Sequence, residues 1–243
     1  MAQMAGSNVD VYFEASKHLL SMRLDGTVAG ALPQDMSIDL ATLRNFAIPI
    51  DWAIDSGLRH LTIHNHDKYI QIVNEAGYTL ANNGAVNISM LNNRGLTSIS
   101  FTDTVKLKGA LQSFGSYTYD LETIDGDLDF SAVDSWTYSN WFIGSKIAHI
   151  RLIKNSAATI GTMDFSQCNY LDETSLISIA NGLADTTGAH YLKLHSTRKT
   201  MLGQITGIVS EDQTGTYHIF TQDSNGPTTL QDFITNTKGW TIQ

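Results

Sequence analysis

Several stretches of the chain carry residue types that could do chemistry, and spacing decides what each can do. His64-Asn65-His66-Asp67 ends a run that reads as a strand. Residues two apart share one strand face, so the two imidazoles could begin a zinc site. Such a site needs further ligands, and nothing adjacent in the sequence supplies them, so polar turn residues are the expected reading. Asp125-Gly126-Asp127-Leu128-Asp129 sets three carboxylates at alternate positions, where oxygen ligands could gather around calcium. The EF-hand pattern fails there, because no glutamate occurs from Asp125 through Trp136. Leu128 and Phe130 take the opposite alternation, which fits solvated acids on a turn with apolar residues inward. Gly144-Ser145-Lys146 lacks the upstream glycine of a phosphate loop. Neither a Gly-x-Ser-x-Gly elbow nor a His-Glu-x-x-His helix occurs. No catalytic residue, metal ligand or cofactor site is therefore assigned, and the expectation is a non-enzymatic protein. Paired glycosidase carboxylates cannot be recognised from sequence, so a glycan hydrolase stays open as an alternative.

The densest aromatic stretch is Trp136-Thr137-Tyr138-Ser139-Asn140-Trp141-Phe142. So many rings are hard to bury in one thin layer, which makes Trp136, Tyr138, Trp141 and Phe142 candidates for a partner surface or for stacking on sugars. Cys168 is the only cysteine, so no intrachain disulfide forms; it follows Met163 and Phe165 and is expected to be a small buried filler.

The elements that must position these residues fall into two regions. In residues 1–90, Ala15, Leu19, Leu20 and Met22 lie near helical spacing before Asp25-Gly26. A second helix is predicted from an Asp39 N-cap through Leu40, Leu43 and Phe46, bounded by Pro49. Leu58–His64 reads as a strand with Leu61 and Ile63 on one side. Asp67–Gly77 reads as a short helix with Ile70 and Val73 inward, and Asn82-Asn83-Gly84 as a turn.

From residue 91 the chain turns repetitive. Leu96-x-x-Ile99-x-Phe101 recurs as Leu121-x-x-Ile124 with Leu128-x-Phe130, then as Ile147-x-x-Ile150-x-Leu152, at intervals of 25 and 26 residues. Ile160, Met163 and Phe165, then Leu192 and Leu194, then Trp240 and Ile242 continue the sets. One short strand cannot bury its own apolar row, but stacked copies can, so this period marks a leucine-rich-repeat-like solenoid with a parallel sheet of short strands. The competing reading is an ordinary mixed α/β domain whose strands fall at these intervals. A helix is predicted with Leu176, Ile179 and Leu183 on one face and Asp172 or Thr174 as N-cap. A last helix, about 229–238, turns Leu230, Phe233 and Ile234 inward and ends at Gly239, before an edge strand Trp240-Thr241-Ile242. Residues 204–226 read as a β-hairpin insertion: Ile205, Ile208 and Val209, a turn at 213–215, then Tyr217, Ile219 and Phe220. Tyr217 and Phe220 join the partner-binding candidates, because repeat proteins place insertions on one binding face.

The net charge is −9 and the pI about 5.2, with no dense run of Lys or Arg, which argues against a nucleic-acid or acidic-membrane partner. The pair Arg198-Lys199 reads as a solvated turn. Charged residues make up only 16%, and Ser, Thr, Asn and Gly take their place. No secretory signal or apolar span of membrane length is read in the sequence.

Leu171, Ser175, Leu176, Ile179, Leu183, Asp185 and Gly188, then Leu192 and Leu194, then Lys238-Gly239-Trp240-Thr241-Ile242 resemble the closing repeat of the BspA-like leucine-rich-repeat proteins of phage and prophage structural modules. In those a helix opening Leu-x-x-x-Ser-Leu precedes a Leu-x-Leu strand, and a helix ending Lys-Gly-Trp-Thr-Ile or -Val closes the array. The likeness spans about 96–243 and is specific in its last third; the stretch 204–226 departs from it, and residues 1–90 lie outside it. It implies an irregular α/β solenoid with a helical C-terminal cap; the elements read in residues 1–90 add a separate α+β N-terminal region that docks or caps. It also implies a virion structural protein made in the host cytoplasm, a capsid-associated, tail or baseplate component. Its partners would be other virion proteins and copies of itself, with no cofactor. A host-surface or glycan-binding adhesion module is the alternative.

Overall fold

The computed structural model describes residues 2–3, 9–14, 19–24, 34–39, 45–47, 58–64, 70–72, 86–89, 95–102, 104–111, 119–136, 142–157, 160–206, 209–211, 217–219 and 226–243. The architecture is mixed α/β, with parallel sheets and few helices. One 12-stranded hydrogen-bonded system holds β1 (Ala2–Gln3), β2 (Val9–Glu14), β3 (Leu19–Leu24), β4 (Asp35–Asp39), β5 (Asn45–Ala47), β6 (His60–His64), β7 (Ile70–Ile72), β8 (Val86–Ser89), β9 (Ser98–Phe101), β10 (Val105–Leu111), β11 (Thr123–Trp136) and β12 (His149–Leu152). Then follow β13 (Thr162–Phe165), α1 (Glu173–Gly182), β14 (Tyr191–Leu194), α2 (Ser196–Leu202), β15 (Val209–Glu211), β16 (Tyr217–Ile219), α3 (Leu230–Asp232) with a π-helical turn Phe233–Thr237, and β17 (Thr241–Ile242). β13, β14 and β17 form a second parallel sheet, and β15–β16 an antiparallel hairpin.

Within the large system, β4, β6, β9, β11 and β12 lie side by side in the order in which they occur along the chain, all parallel. Their register aligns Met36, Leu61, Ile99 and Ile124, and then Ile38, Ile63 and Phe101. Leu61, Ile99, Ile124, Ile63 and Phe101 are buried, as the period-two alternation requires. Just before each strand a backbone ladder ties one step to the next: Arg59 N–H donates to Gln34 O (2.8 Å), Thr97 to Arg59 (2.8 Å), Glu122 to Thr97 (2.9 Å), Ala148 to Glu122 (2.8 Å) and Asp172 to Ala148 (2.9 Å). The residue preceding each of these donors is Leu58, Leu96, Leu121, Ile147 or Leu171, all fully buried in one core. A parallel strand gives half its side chains to that core; burying each Leu or Ile there contributes about 1.5–3 kcal/mol.

At Asp172 the chain leaves the strand pattern and turns into α1. Asp172 Oδ1 accepts from Ser175 N–H at 2.7 Å as N-cap, so α1 lies along the free edge of β12. Two of its serines then act as the missing strand. Ser175 Oγ accepts from Ile150 N–H (3.0 Å) and donates to Ala148 O (2.9 Å), while Ser178 Oγ accepts from Leu152 N–H (2.8 Å). An open sheet edge invites pairing with another chain, and α1 removes that invitation. Replacing both serines, Ser175→Ala with Ser178→Ala, is expected to cost about 1–3 kcal/mol for each amide left unpaired. Hydrogen exchange at the Ile150 and Leu152 amides should accelerate; unchanged protection would mean that the helix is not their partner.

The C-terminal segment closes the structure on the same core. A capping box starts α3: Thr229 Oγ1 accepts from Asp232 N–H, and Asp232 accepts from Thr229 N–H. Hydrogen bonds from Thr228 and Thr229 hold the Asp232 carboxyl below the usual carboxylate range. Lys238 is buried, with Nζ donating to Asn155 Oδ1 (2.6 Å) and pairing with Asp185 Oδ1 (2.9 Å). Gly239 has φ +75°, and Trp240 is fully buried with Nε1 donating to Ala184 O (2.9 Å).

The predicted strand at Leu58–His64, the α1 face Leu176–Ile179–Leu183, the hairpin and the terminal edge strand all form. The N-terminal helices do not. Leu19, Leu20 and Met22 lie in β3, antiparallel to β2, so the α+β expectation for 1–90 fails over its described residues. Asp39 ends β4 instead of capping a helix, Phe46 lies in β5, and Ile70 lies in β7. Val9, Val11 and Phe13, then Leu20, Met22 and Leu24, also fit a period of two; over so short a window both periods match, and strand pairing decides. Leu40, Leu43, Pro49, Val73 and Asn82–Gly84 lie outside the described residues. Across residue 90, β6 pairs with β9 and β7 with β10. Ile205 is a buried residue after α2, and the hairpin starts at Val209.

Candidate functional site

The outward alternation of β4, β6, β9, β11 and β12 builds a polar face. One register row runs Asp35, His60, Ser98, Thr123, His149. The row opens and closes on an imidazole–carboxylate pair. His60 Nδ1 lies 2.7 Å from Asp35 Oδ1, and His149 Nδ1 lies 3.3 Å from Oδ2 of Asp172, the cap of α1. The next outward row runs Ser37, Thr62, Ser100, Asp125, with Ser100 Oγ donating to Asp125 Oδ2 at 3.2 Å. Beyond it, His64 Nε2 meets Ser37 Oγ. Arg151 Nε and Asp127 Oδ1 form an ion pair at 3.0 Å, too skewed in direction to count as a hydrogen bond. The face is thus a platform of short hydroxyls with imidazoles and carboxylates at its margins.

This platform absorbs two of the stretches singled out by composition. His64 is half-buried on β6 and engaged by Ser37, while His66 lies outside the described residues. The three aspartates do not converge: Asp125 takes Ser100, Asp127 takes Arg151, and Asp129 Oδ1 accepts from Ser131 N–H (2.9 Å). They lie in β11 rather than on a turn. The register shifts between Thr123 and Asp127, and Gly126, at φ 113°, sits where a bulge needs a left-handed residue. Among the described residues no group of three or more His, Cys, Asp or Glu is placed to hold a metal ion.

Phe142 requires a correction: it is fully buried at a turn with φ 56°, so it belongs to the core and not to a contact surface. Its carbonyl accepts from the Ser145 hydroxyl (2.7 Å), and Gly144 at φ 75° completes a tight turn there. Trp136 ends β11 opposite Leu111, and Tyr217 lies in β16 opposite Glu211. Tyr138, Trp141 and Phe220 lie outside the described residues. Arg198 and Lys199 stand in α2, not in a turn; Arg198 Nη1 reaches back to Leu171 O at 2.8 Å, at the end of the ladder.

Cys168 is buried, and burial, aided by Asp164, pushes its thiol up from the ordinary range. The thiolate is the reactive form, so the native protein should resist a thiol reagent at neutral pH and react once unfolded. Rapid labelling of the folded chain would contradict this placement.

The polar row was missed at the sequence level, yet a signal existed. Alignment of Leu58, Leu96, Leu121 and Ile147 puts His60, Ser98, Thr123 and His149 at one shared position, two residues on. Comparison of the chain with protein-family models, with curated proteins and with solved structures finds no match.

Proposed function

We propose that the chain is a leucine-rich-repeat-type solenoid serving as a virion structural protein, a capsid-associated, tail or baseplate component. The observation that carries this reading is the backbone ladder from Gln34 to Asp172, in which each step is held by its neighbour and the last is closed by α1. The closing segment Lys238–Ile242, whose likeness to the phage structural repeat proteins rests on its residues, is tied to the core by buried Lys238 and Trp240. Its role in a particle is attachment by buried area and shape. A stable attachment needs about 1,000 Å² or more of interface. The aromatic stretch 136–141 and the hairpin 209–219 are the proposed contacts, with other virion proteins or further copies of the chain as partners. A net charge of −9 disfavours nucleic acid as the partner, and among the described residues no helix is long and apolar enough to cross a membrane.

The test is co-purification. Particles released from a producing culture and banded on a density gradient should contain this chain at fixed stoichiometry by mass spectrometry. Its absence from intact particles would overturn the reading. The polar platform gives a specific reason for a second reading, host-surface glycan binding, since hydroxyls, imidazoles and carboxylates are the groups that hydrogen-bond sugars. Glycan-array binding lost on Trp136→Ala and Trp141→Ala would favour it.

A further inference from the structure

The geometry points to a self-modification site at the C-terminal closure, where the Lys238 amine condenses with the Asn155 side-chain amide to form an isopeptide bond and release ammonia, with the Asp185 carboxylate carrying the protons. It goes beyond the assembly role and does not depend on it.

The three groups are in contact. Lys238 Nζ lies 2.6 Å from Asn155 Oδ1 and 2.9 Å from Asp185 Oδ1. Asn155 Cγ is one carbonyl bond, about 1.23 Å, beyond Oδ1, so it lies within about 3.8 Å of Nζ and in reach of attack. Among the described residues Lys238 is the only buried lysine, its side chain 6% exposed, and the Phe233 ring lies 5.5 Å from Nζ. An amine held against apolar groups, with a carboxylate beside it to take a proton, is the arrangement that frees a lysine lone pair. Asp185 is 73% exposed, which gives the released ammonia a way out.

Backbone hydrogen bonds fix all three residues. Asn155 stands at φ 56°, a left-handed position that asparagine tolerates; its N–H donates to Asn181 O (2.9 Å), and the Ala157 N–H donates to Gly182 O (3.0 Å). Lys238 N–H donates to Phe233 O and Lys238 O accepts from Thr186 N–H, both at 3.0 Å. Asp185 lies between Thr186 and Ala184, whose carbonyl takes the Trp240 indole N–H. Holding amine, amide and carboxylate in one place supplies the orientation that free side chains lack. The two residues to be joined are 83 positions apart, and a single cysteine leaves the chain without a disulfide to staple this closure.

In the first step the Lys238 ammonium gives a proton to Asp185, and the freed Nζ attacks Asn155 Cγ. The Nζ–Cγ bond forms as the carbonyl electron pair moves onto Oδ1. Asp185 then gives its proton to Nδ2 and takes one from Nζ. The carbonyl re-forms, the Cγ–Nδ2 bond breaks, and ammonia leaves, collecting the remaining proton from Asp185. The product is a secondary amide, and Asp185 ends as it began, a carboxylate. The reaction occurs once per molecule.

The test is intact-mass spectrometry of the purified full chain, fresh and after prolonged incubation at neutral pH. The expected mass is that of the sequence less one ammonia. Trypsin should yield a branched peptide joining Asn155 to Lys238, with no cut after Lys238. Asp185→Asn, at an exposed position, should fold as the parent does and link about 100-fold more slowly, within the range that proton transfer by a positioned side chain supplies. Lys238→Arg should keep its full sequence mass. A merely structural ion pair would leave no branched peptide in the parent chain. A folded parent that keeps the full mass after incubation, an ammonia lost without the Asn155–Lys238 branch, or an Asp185→Asn variant that links as fast as the parent would overturn the assignment.

Discussion

Gly239→Ala is expected to destabilise the protein by about 3–5 kcal/mol, the range of severe single substitutions. Two effects combine. Gly239 sits at φ +75°, where an L side chain costs about 1–2 kcal/mol. A Cβ there would also fall inside the van der Waals envelope of the Thr186 carbonyl oxygen, a backbone atom that cannot swing aside. That carbonyl is held in place, because Thr186 N–H donates to Lys238 O at 3.0 Å across the same crossing. Thermal unfolding should show a melting temperature lower by on the order of 10 °C. Gly161→Ala serves as the control, since a Cβ at that position meets nothing within 4 Å. If both variants melt together, the crossing at Thr186 is loose and the closing segment is not a lock.

Trp240→Ala should have an effect of similar size, about 3–5 kcal/mol, as for other large aromatics removed from a core. Among the described residues Trp240 is the largest fully buried side chain, its indole N–H is used by Ala184 O, and the His190 ring lies 5.0 Å from it. Trp240→Phe separates the contributions. It keeps most of the apolar volume but leaves Ala184 O without its donor, a loss of about 1 kcal/mol. Denaturant midpoints should rank wild type, then Phe, then Ala; an Ala variant as stable as the parent would remove the segment from the core.

The C-terminal third was legible in the sequence because its signals are local. Asp172 and Thr174 precede an apolar helical face, and Gly239 follows the last apolar turn, so these helix ends carry marks in the sequence itself. The apolar sets at Leu96, Leu121 and Ile147 were legible too, since a buried strand row needs little more than spacing. What could not be seen was pairing. β2 and β3 carry residues that fit either period, and only the hydrogen bonds between them decide. The bulge at Gly126 turned an expected acidic turn into the middle of β11. Ser175 and Ser178 read as ordinary helix positions; their use as strand surrogates depends on β12, some twenty-five residues away. The polar row was hidden for the same reason, because Asp35, His60 and Ser98 come into line only through register.

Register between β6 and β9 is therefore the measurement that matters most, because the stacking, the ladder and the polar row all follow from it. Thr62 and Ser100 are register partners on the outward face, and a disulfide needs Cα atoms about 4.4–6.8 Å apart. The double variant Thr62→Cys with Ser100→Cys should form an intramolecular disulfide under mild oxidation, with buried Cys168 a bystander. If that pair stays reduced while Thr62→Cys with Thr97→Cys closes instead, the strands are not stacked as described.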